Sequence, residues 1–450
     1  MPDDAESAKA AGLGGVLDRI FHLTENNTNI KSEILGGVTT FISMAYVILV
    51  NSNLMAEIGM PRESAIAATI WSSALATGLM GLYANFPVAL APGLGLVVYF
   101  AYSVVGKMGL SWQAALGAVF ISGTIFLILT VCGIRQAIVK AIPVSLKRSM
   151  GAGMGMFIAF IGFRDAGIIV ADPATIVSLG NISDITTIMA LFGFLLMAAC
   201  INRGYNGGIL GGIGAVTVLG MICGLVPMPG SVGEIVSLKI PSLSGTFGQL
   251  DIAGAFEFGL VSIIFSFTMV DLFETLGTLV GVTAKAGMID ENGNVKNLDK
   301  ALTTDSVGTM LGAVFGTPTV TSYVESATGV AAGGRTGLTA VVTAVCFLGT
   351  LFFTPMVSLV PKFATAPALI LVGAMMLSGL KEIEIKDYSE GIPVFLTVTL
   401  MALTLSVATG FAFGFVSYCA MKVLSGKARE IKFEMWLITL AFLINLIMRS

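Results

Sequence analysis

Three acidic residues stand in stretches of the sequence that are otherwise apolar, and they are the side chains best suited to do chemistry. Asp271 and Glu274 lie in the run from Phe265 to Val280, and Glu325 follows a segment in which threonines alternate. A spacing of three residues puts Asp271 and Glu274 on one face of a helix. A carboxylate in apolar surroundings is costly unless it meets protein, water or a ligand. The three acids therefore indicate a site that handles something polar.

The composition places these acids in a membrane. Of the 450 residues, 55% are hydrophobic and only 11% are charged, and the mean hydropathy is +0.92; soluble domains do not show this balance. Apolar runs of about 20 residues, the length that spans ~30 Å of hydrocarbon, recur along the chain, which excludes a single anchor. The net charge of −3 indicates no nucleic-acid partner. The five cysteines lack metal-like spacing, so no metal site and no cofactor are expected.

The apolar runs predict an all-α polytopic membrane protein with fourteen membrane elements. Twelve of the elements are continuous, near 34–56, 64–84, 113–132, 148–166, 184–202, 207–226, 257–283, 302–315, 336–356, 366–380, 391–408 and 410–424. The third and tenth elements, near 87–105 and 317–334, contain prolines and glycines and are predicted to be discontinuous, each part extended segment and part helix. The apolar tail 433–448 fits either a last span or a surface helix.

Basic residues concentrate in the connections that follow even-numbered elements. They are Arg135, Lys140, Lys147, Arg148, Arg203, Lys285, Lys296, Lys300, Lys422, Lys427 and Arg429. Short cytoplasmic loops of membrane proteins are enriched in Lys and Arg. The charges therefore predict a multi-pass protein of the plasma membrane with both termini in the cytoplasm.

The two halves of the chain share a weak internal repeat. Pro92 and Pro318 are 226 residues apart, and so are Gly123 and Gly349. Each half then holds seven elements, and since seven is odd, the halves must have opposite topology. Inverted repeats with matching interrupted spans are typical of secondary transporters, whose site lies near the midplane between the broken helices. Chance similarity in Gly- and Ala-rich sequence is the alternative explanation.

The sequence resembles the purine permease branch (adenine, guanine and hypoxanthine) of the nucleobase:cation symporter-2 family. The resemblance is carried by Val-Asp-Leu-Phe-Glu-Thr-Leu-Gly-Thr at 270–278 and by the long segment from Tyr323 to Ala340. Further matching segments are 37–46, 91–96 and 366–373. The resemblance runs from about residue 20 to residue 424.

This resemblance implies a fold of seven plus seven inverted repeats, in which a core domain moves against a gate domain. Residues 1–33 form a cytoplasmic segment. The core elements lie in 34–135 and 257–356, and the gate elements, with the C-terminal tail, lie in 146–228 and 366–450. The implied activity is import of a purine nucleobase with a cation, H⁺ as the expectation and Na⁺ as the alternative. The expected partners are the nucleobase and the lipid bilayer, and a homodimer is left open.

The resemblance also implies that the third, eighth and tenth elements hold the substrate. Asp271 and Glu325 are the expected base-binding carboxylates, and Glu274, where the family usually has Asp, is a supporting or proton-linked position. All three acids are candidates for proton coupling. The other expected contacts are Gly95, Val97, Tyr99, Thr275 and Ser326.

Val97 departs from the family pattern, which has Asn at this position. The loss of a hydrogen-bonding side chain leaves open a transporter or facilitator of the same fold for another small polar or anionic solute. A membrane-embedded enzyme is a remote alternative, because the sequence lacks clustered Asp motifs for a metal and His or Ser partners at catalytic spacing. No catalytic residue is predicted.

Overall fold

A computed structural model of the chain describes residues 13–133, 142–257, 260–288, 295–383 and 387–449. Two of the basic residues that predict the orientation, Arg135 and Lys140, lie outside the described residues, as do the first twelve residues of the N-terminal segment and residues 258–259 of the predicted span 257–283.

Seven helical rods among the described residues are long and apolar enough to cross a bilayer. They are Ile30–Glu57, Arg62–Ala84, Trp112–Val131, Ile185–Asn202, Ile263–Thr283, Gly337–Ser358 and Val407–Leu424. In Ile185–Asn202 only 28% of the apolar window is buried inside the protein, so most of its apolar side chains face outward, as lipid contact requires. The predicted class, a helical polytopic membrane protein, is confirmed; that all fourteen elements cross the bilayer stays a prediction.

The first half of the chain forms nine helices and three short strands among the described residues. In chain order they are α1 (Leu13–Phe21), α2 (Ile30–Met44), α3 (Tyr46–Glu57), α4 (Arg62–Leu79), β1 (Leu90–Pro92), α5 (Leu94–Val98), α6 (Trp112–Val131), α7 (Val144–Asp165), β2 (Ile169–Asp172), β3 (Ile176–Leu179), α8 (Ile185–Asn202) and α9 (Gly208–Ile222). The π-helical turns Met80–Ala84 and Tyr99–Lys107 extend α4 and α5. β2 and β3 pair as an antiparallel hairpin.

The second half forms ten further helices and one short strand among the described residues. Its elements are α10 (Ile252–Glu257), α11 (Leu260–Ala286), α12 (Leu298–Phe315), β4 (Val320–Ser322), α13 (Ser326–Ala331), α14 (Gly337–Gly349), α15 (Thr354–Ser358), α16 (Lys362–Met376), α17 (Tyr388–Thr404), α18 (Val407–Leu424) and α19 (Phe433–Arg449). Both segments expected to be broken form a strand followed by a helix. The two prolines of the repeat do not match in position, however: Pro92 ends β1, whereas Pro318 precedes β4 by two residues.

The helices pack in two groups. In the first bundle, made of α2–α6 and α11–α14, α14 packs against α2 and α4, and α12 packs against α4 and α6. In the second bundle, made of α7–α9 and α16–α18, α7 packs against α16 and α17. Gly155 of α7 lies so close to α16 that a Cβ there would come within 2.6 Å of the carbonyl oxygen of Gly373. Small residues thus let these backbones touch, as is common between membrane helices.

The C-terminal helix α19 lies beside α18 and runs antiparallel to it. Cys419 Sγ contacts Thr439 Oγ1 at 3.2 Å, and further along, the ring of Phe442 stacks on Phe415 at 5.0 Å. Met435, Ile438 and Phe442 form its buried face, whereas the opposite face exposes Trp436, Leu437, Leu440 and Ile444. A helix that is apolar on all sides suits a lipid environment rather than a water-exposed surface. The packing therefore favours a last span over a surface helix.

Candidate functional site

The two broken elements cross each other inside the first bundle. β1 pairs antiparallel with β4, with Leu90 opposite Ser322 and Pro92 opposite Val320. The pairing continues past both strands, because the N–H of Gly93 donates to the oxygen of Thr319 at 3.0 Å and the N–H of Tyr323 donates to the oxygen of Ala89 at 2.9 Å. Since the strands are antiparallel, α5 and α13 leave the crossing in opposite directions.

Buried side chains satisfy the outer edge of β1. The hydroxyl of Thr77 donates to the carbonyl of Leu90 at 2.9 Å and accepts from its N–H at 2.8 Å. Ser326 Oγ accepts from the N–H of Ala89 at 3.0 Å. Extended backbone at membrane depth is tolerated only where protein or water satisfies its polar groups. These hydroxyls supply that need and fix the position of the strand.

Asp305 of α12 satisfies the edge of β4, and sequence reasoning missed it. This fully buried carboxylate accepts hydrogen bonds from Thr275 Oγ1 at 2.7 Å, from Thr321 Oγ1 at 3.3 Å and from both the N–H and the hydroxyl of Ser322 at 3.2 Å. It lies inside the predicted span 302–315, and the sequence analysis assigns it no role. The signal that could have found it is an acid one helical turn inside an apolar run.

The first two acids of the predicted trio point to different neighbours. Asp271 is buried, with 1% of its surface exposed, and accepts from Thr309 Oγ1 of α12 at 3.1 Å and from Thr275 Oγ1 at 3.4 Å. Glu274 is partly exposed and lies against the start of α5. The common helix face expected for this pair therefore divides, with Asp271 toward α12 and Glu274 toward the crossing.

Glu274 presents an oxygen that no described residue bonds. Its Oε2 is buried and has no hydrogen-bond partner within the described part of the chain. The carboxylate lies against the backbone of Gly93, where an added Cβ would come within 3.2 Å of Oε2 and 2.6 Å of Thr321 Cγ2. An unpaired buried carboxylate oxygen is costly, so it implies a proton or a donor that binds there.

Glu325 is the N-cap residue of α13 and follows β4 by three residues. Its Oε1 accepts a hydrogen bond of 2.6 Å from the hydroxyl of Tyr46, which is fully buried at the start of α3. The hydroxyl of Tyr323 donates to the carbonyl of Pro92, also at 2.6 Å. Neither tyrosine was singled out from the sequence, because a tyrosine in an apolar run carries no signal of its own.

The crossing is open on one side. Val324, next to Glu325, is 57% exposed although the strand before it is buried. On α11, the stripe that starts at Glu274 continues through Gly277 and Gly281, both exposed with nothing within 4 Å of an added Cβ, to the exposed Lys285. This stripe leads toward the end of the molecule at which α2 begins, here called the near end.

The structure brings four of the predicted site residues together at the crossing: Glu274, Thr275, Glu325 and Ser326. Thr275 also lies 2.8 Å from Thr321 Oγ1, within the hydrogen-bonded group around Asp305. Asp271 lies behind this group, against α12.

The three predicted residues of the third element, Gly95, Val97 and Tyr99, are buried. Gly95 lies against the second bundle, where a Cβ would meet the sulfur of Met154. Val97 is fully buried in the apolar core. Tyr99 packs edge-on against Phe267 of α11, with ring centroids 5.1 Å apart. The α5 contribution at this depth is therefore mainly close packing.

A second polar cluster joins the two bundles at the far end, opposite the near end. Lys362 Nζ of α16 lies 2.6 Å from Glu57 Oε1 of α3, and the hydroxyl of Tyr102 donates to Glu57 Oε2 at 2.7 Å. Tyr102 also lies 3.5 Å from Asp165 Oδ2 of α7 and stacks under the guanidinium of Arg164, whose carbon is 4.3 Å from the ring centroid.

Hydrogen bonds to backbone and side chains extend this far-end cluster. Ser103 Oγ donates to the carbonyl of Leu405 at 2.6 Å, and Asn53 Nδ2 donates to Thr365 Oγ1 at 3.3 Å. We call these five contacts between the bundles the far-end latch: Glu57–Lys362, Tyr102–Asp165, Arg164–Tyr102, Ser103–Leu405 and Asn53–Thr365.

Comparison with known proteins agrees with a transport site. A model described as a permease family matches residues 31–413. The chain is 45% identical to a putative permease of Methanocaldococcus jannaschii, over 96% of this chain and 99% of the relative. It is 40% identical to the adenine permease AdeP of Escherichia coli (96% of each chain) and 42% identical to the guanine/hypoxanthine permease PbuG of Bacillus subtilis (95% and 98%).

Solved structures with a similar fold are distant in sequence. The transmembrane domain of a cyanobacterial bicarbonate transporter, BicA, superposes with a TM-score of 0.64 at 13% identity, covering 85% of this chain and 96% of that one. SLC26A9 superposes with a TM-score of 0.64 at 12% identity, covering 94% and 70%. At these identities the likeness concerns the fold alone.

Proposed function

Because the chain belongs to the nucleobase:cation symporter-2 family of permeases, we propose that it imports a purine nucleobase (adenine, guanine or hypoxanthine) together with a proton. The observation that carries this proposal is the pair Glu274 and Glu325, two partly exposed carboxylates beside the strand crossing and within electrostatic reach of each other. Purine permeases among its relatives, at 40–42% identity, support the substrate class.

A purine suits this crossing because its edge alternates hydrogen-bond donors and acceptors. Ring N–H and exocyclic amino groups donate to carboxylate oxygens, and such charge-assisted bonds are about twice as strong as neutral ones. Glu325 has its Oε1 occupied by Tyr46, which leaves Oε2 for a ligand. Glu274 Oε2 needs a donor. We therefore assign ligand contact to Glu325 and Glu274, and give Asp271 a supporting role through Thr309.

The same pair of acids accounts for a coupled proton. Glu274 lies within electrostatic reach of Glu325 and Asp305, and neighbouring carboxylates repel when all are ionised. A proton on Glu274 relieves this repulsion and fills its unpaired oxygen. Its delivery with the substrate toward the near end couples transport to the proton gradient.

Alternating access follows if the first bundle acts as the core and the second as the gate. The far-end latch closes one side of the interface, while the stripe Gly277, Gly281 and Lys285 leads from Glu274 to the near end. The basic connections make the near end cytoplasmic. The structure then corresponds to an inward-facing state, and transport requires the latch to break and the near end to close.

The position of α19 bears on the orientation of the C-terminus. Its 17 residues reach about 25 Å, close to the length of α18, along which they run antiparallel. If α18 ends at the cytoplasmic face, α19 returns across the bilayer. We therefore propose a fifteenth span and an extracellular C-terminus, in place of the cytoplasmic one expected from the sequence.

One observation favours a second candidate, a carrier of another small polar or anionic solute: Val97 supplies no amide where the family has Asn. Against an anion stand Asp271, Glu274, Asp305 and Glu325, which together would repel it. Ligand-dependent thermal stability of the purified protein separates the candidates. Purines should raise the melting temperature of the wild type and not of Glu325→Gln; stabilisation by bicarbonate or chloride alone would favour the anion.

A further inference from the structure

Tyr46 of α3 donates a hydrogen bond to Glu325, and neither its motif nor the family comparison assigns a role to this contact. Tyr46 stands where α2 ends and α3 begins; Ala45 between them has helical dihedral angles, so the two helices form one rigid rod. The tyrosine ring is fully buried, and its hydroxyl lies 2.6 Å from Glu325 Oε1. Because the rod is rigid and the ring is buried, the Tyr46 hydroxyl is held in one position.

A short hydrogen bond from a neutral hydroxyl to a carboxylate has two consequences. It fixes the rotamer of Glu325, so that Oε2 points away from Tyr46, and it stabilises the ionised carboxylate over the protonated one. Glu274 Oε2 has no such donor within the described part of the chain. The two glutamates are thereby made chemically unequal, one oriented and held as an acceptor and the other left to take a proton.

We propose that Tyr46 is a positioning residue for Glu325, which it holds in the orientation that lets Oε2 accept the donor edge of the substrate. This inference rests on the proposed function. Tyr46 itself does not contact the substrate, because its ring is buried and its hydroxyl is committed to Glu325.

A pH test of this pair must take into account the charged and titratable groups around Tyr46 and Glu325. Tyr323 and Glu274 lie within electrostatic reach of Tyr46, and Asp305 and Asp271 lie behind Glu274. The guanidinium of Arg335 is bonded to the carbonyls of Val330 and Gly334 at the other end of α13. Glu325 thus lies among acids and phenols, and Tyr46 donates a side-chain hydrogen bond to it.

The test compares Tyr46→Phe with Tyr323→Phe in purine uptake by proteoliposomes. Both variants lose one buried hydroxyl with a 2.6 Å bond, but the bond of Tyr323 goes to the backbone of Pro92. For Tyr46→Phe we expect KM to rise about tenfold with little change in the maximal rate, and the rise to grow on acidification from pH 8 to pH 6. Tyr323→Phe should change KM equally at all pH values.

Three outcomes decide the proposal. A KM that rises in Tyr46→Phe with the stated pH dependence supports it. An unchanged KM, or a rise that is the same at every pH and matches Tyr323→Phe, overturns it. If the wild type takes up no purine, the proposed function has failed. The hydrogen bond between Tyr46 and Glu325 can still be tested by the thermal stability of Tyr46→Phe, Glu325→Gln and the double variant. If the stability losses of the two single variants add up to that of the double variant, the bond is overturned.

Discussion

The ammonium group of Lys362 lies 2.6 Å from Glu57 Oε1, and this ion pair ties the second bundle to the first at the far end. Lys362 is half exposed and Glu57 is mostly buried, with 50% and 21% of their side chains accessible. A pair of this exposure contributes about 0.5–1 kcal/mol. It is therefore suited to bias a conformational equilibrium without locking it.

Breaking this pair should open the far end more often. We expect Glu57→Gln to raise, about two- to fivefold, the rate at which an impermeant maleimide labels a cysteine at Val98, a fully buried position one turn below Tyr102. The measurement uses a background in which the five native cysteines are replaced. Glu63→Gln, an exposed carboxylate on the next helix, is the matched control. Equal labelling rates in the two variants would contradict a role for the far-end latch in holding this end closed.

Asp305 should be the acid on which the crossing most depends for stability. In Asp305→Asn an NH₂ group replaces one oxygen and faces hydroxyl and N–H donors of Thr321, Ser322 or Thr275. Leaving buried donors unsatisfied costs about 1–3 kcal/mol each. We expect a fall of several degrees in melting temperature in detergent and loss of uptake. Glu63→Gln, an exposed carboxylate in the first turn of α4, should behave like the wild type.

Glu274→Gln should separate transport from its driving force. The amide keeps the shape of the side chain but cannot carry the coupled proton. We expect the variant to lose the gradient-driven part of purine accumulation, so that an uncoupler no longer changes uptake. Exchange of labelled for unlabelled purine across the membrane should continue. Gradient-driven accumulation at the wild-type level in this variant would place proton coupling elsewhere.

The packing of α19 predicts the side of the membrane on which the chain ends. An epitope added after the last residue should be accessible to antibody on intact cells if α19 returns across the bilayer beside α18. An epitope before Leu13 serves as the opposite control and should need permeabilised cells. If both tags stain only after permeabilisation, both termini are cytoplasmic and α19 does not cross the bilayer.

The sequence predicted those parts of the site that leave a local mark. The prolines and glycines near residues 92 and 318 predicted the broken elements, because they cannot continue a regular helix, and both segments do form a strand followed by a helix. Glu325 was expected just after the extended segment and is the N-cap residue of α13.

Contacts between distant elements left no such mark. Asp305 was overlooked, and its importance comes from bonds to β4 and α11 that only the folded chain forms. Tyr46 meets Glu325 across 279 positions. The spacing of Asp271 and Glu274 along the helix could not predict that they meet different neighbours, because this depends on where α12 and α5 lie around α11.

Uptake of radiolabelled adenine, guanine and hypoxanthine into a permease-deficient strain tests the central claim most directly. With the wild type, the account predicts saturable uptake of at least one purine that is faster at pH 6 than at pH 8 and is abolished by an uncoupler. Glu325→Gln should reduce it at least tenfold. Flat uptake of all three purines by a correctly inserted wild-type protein, or full uptake by Glu325→Gln, would contradict the account.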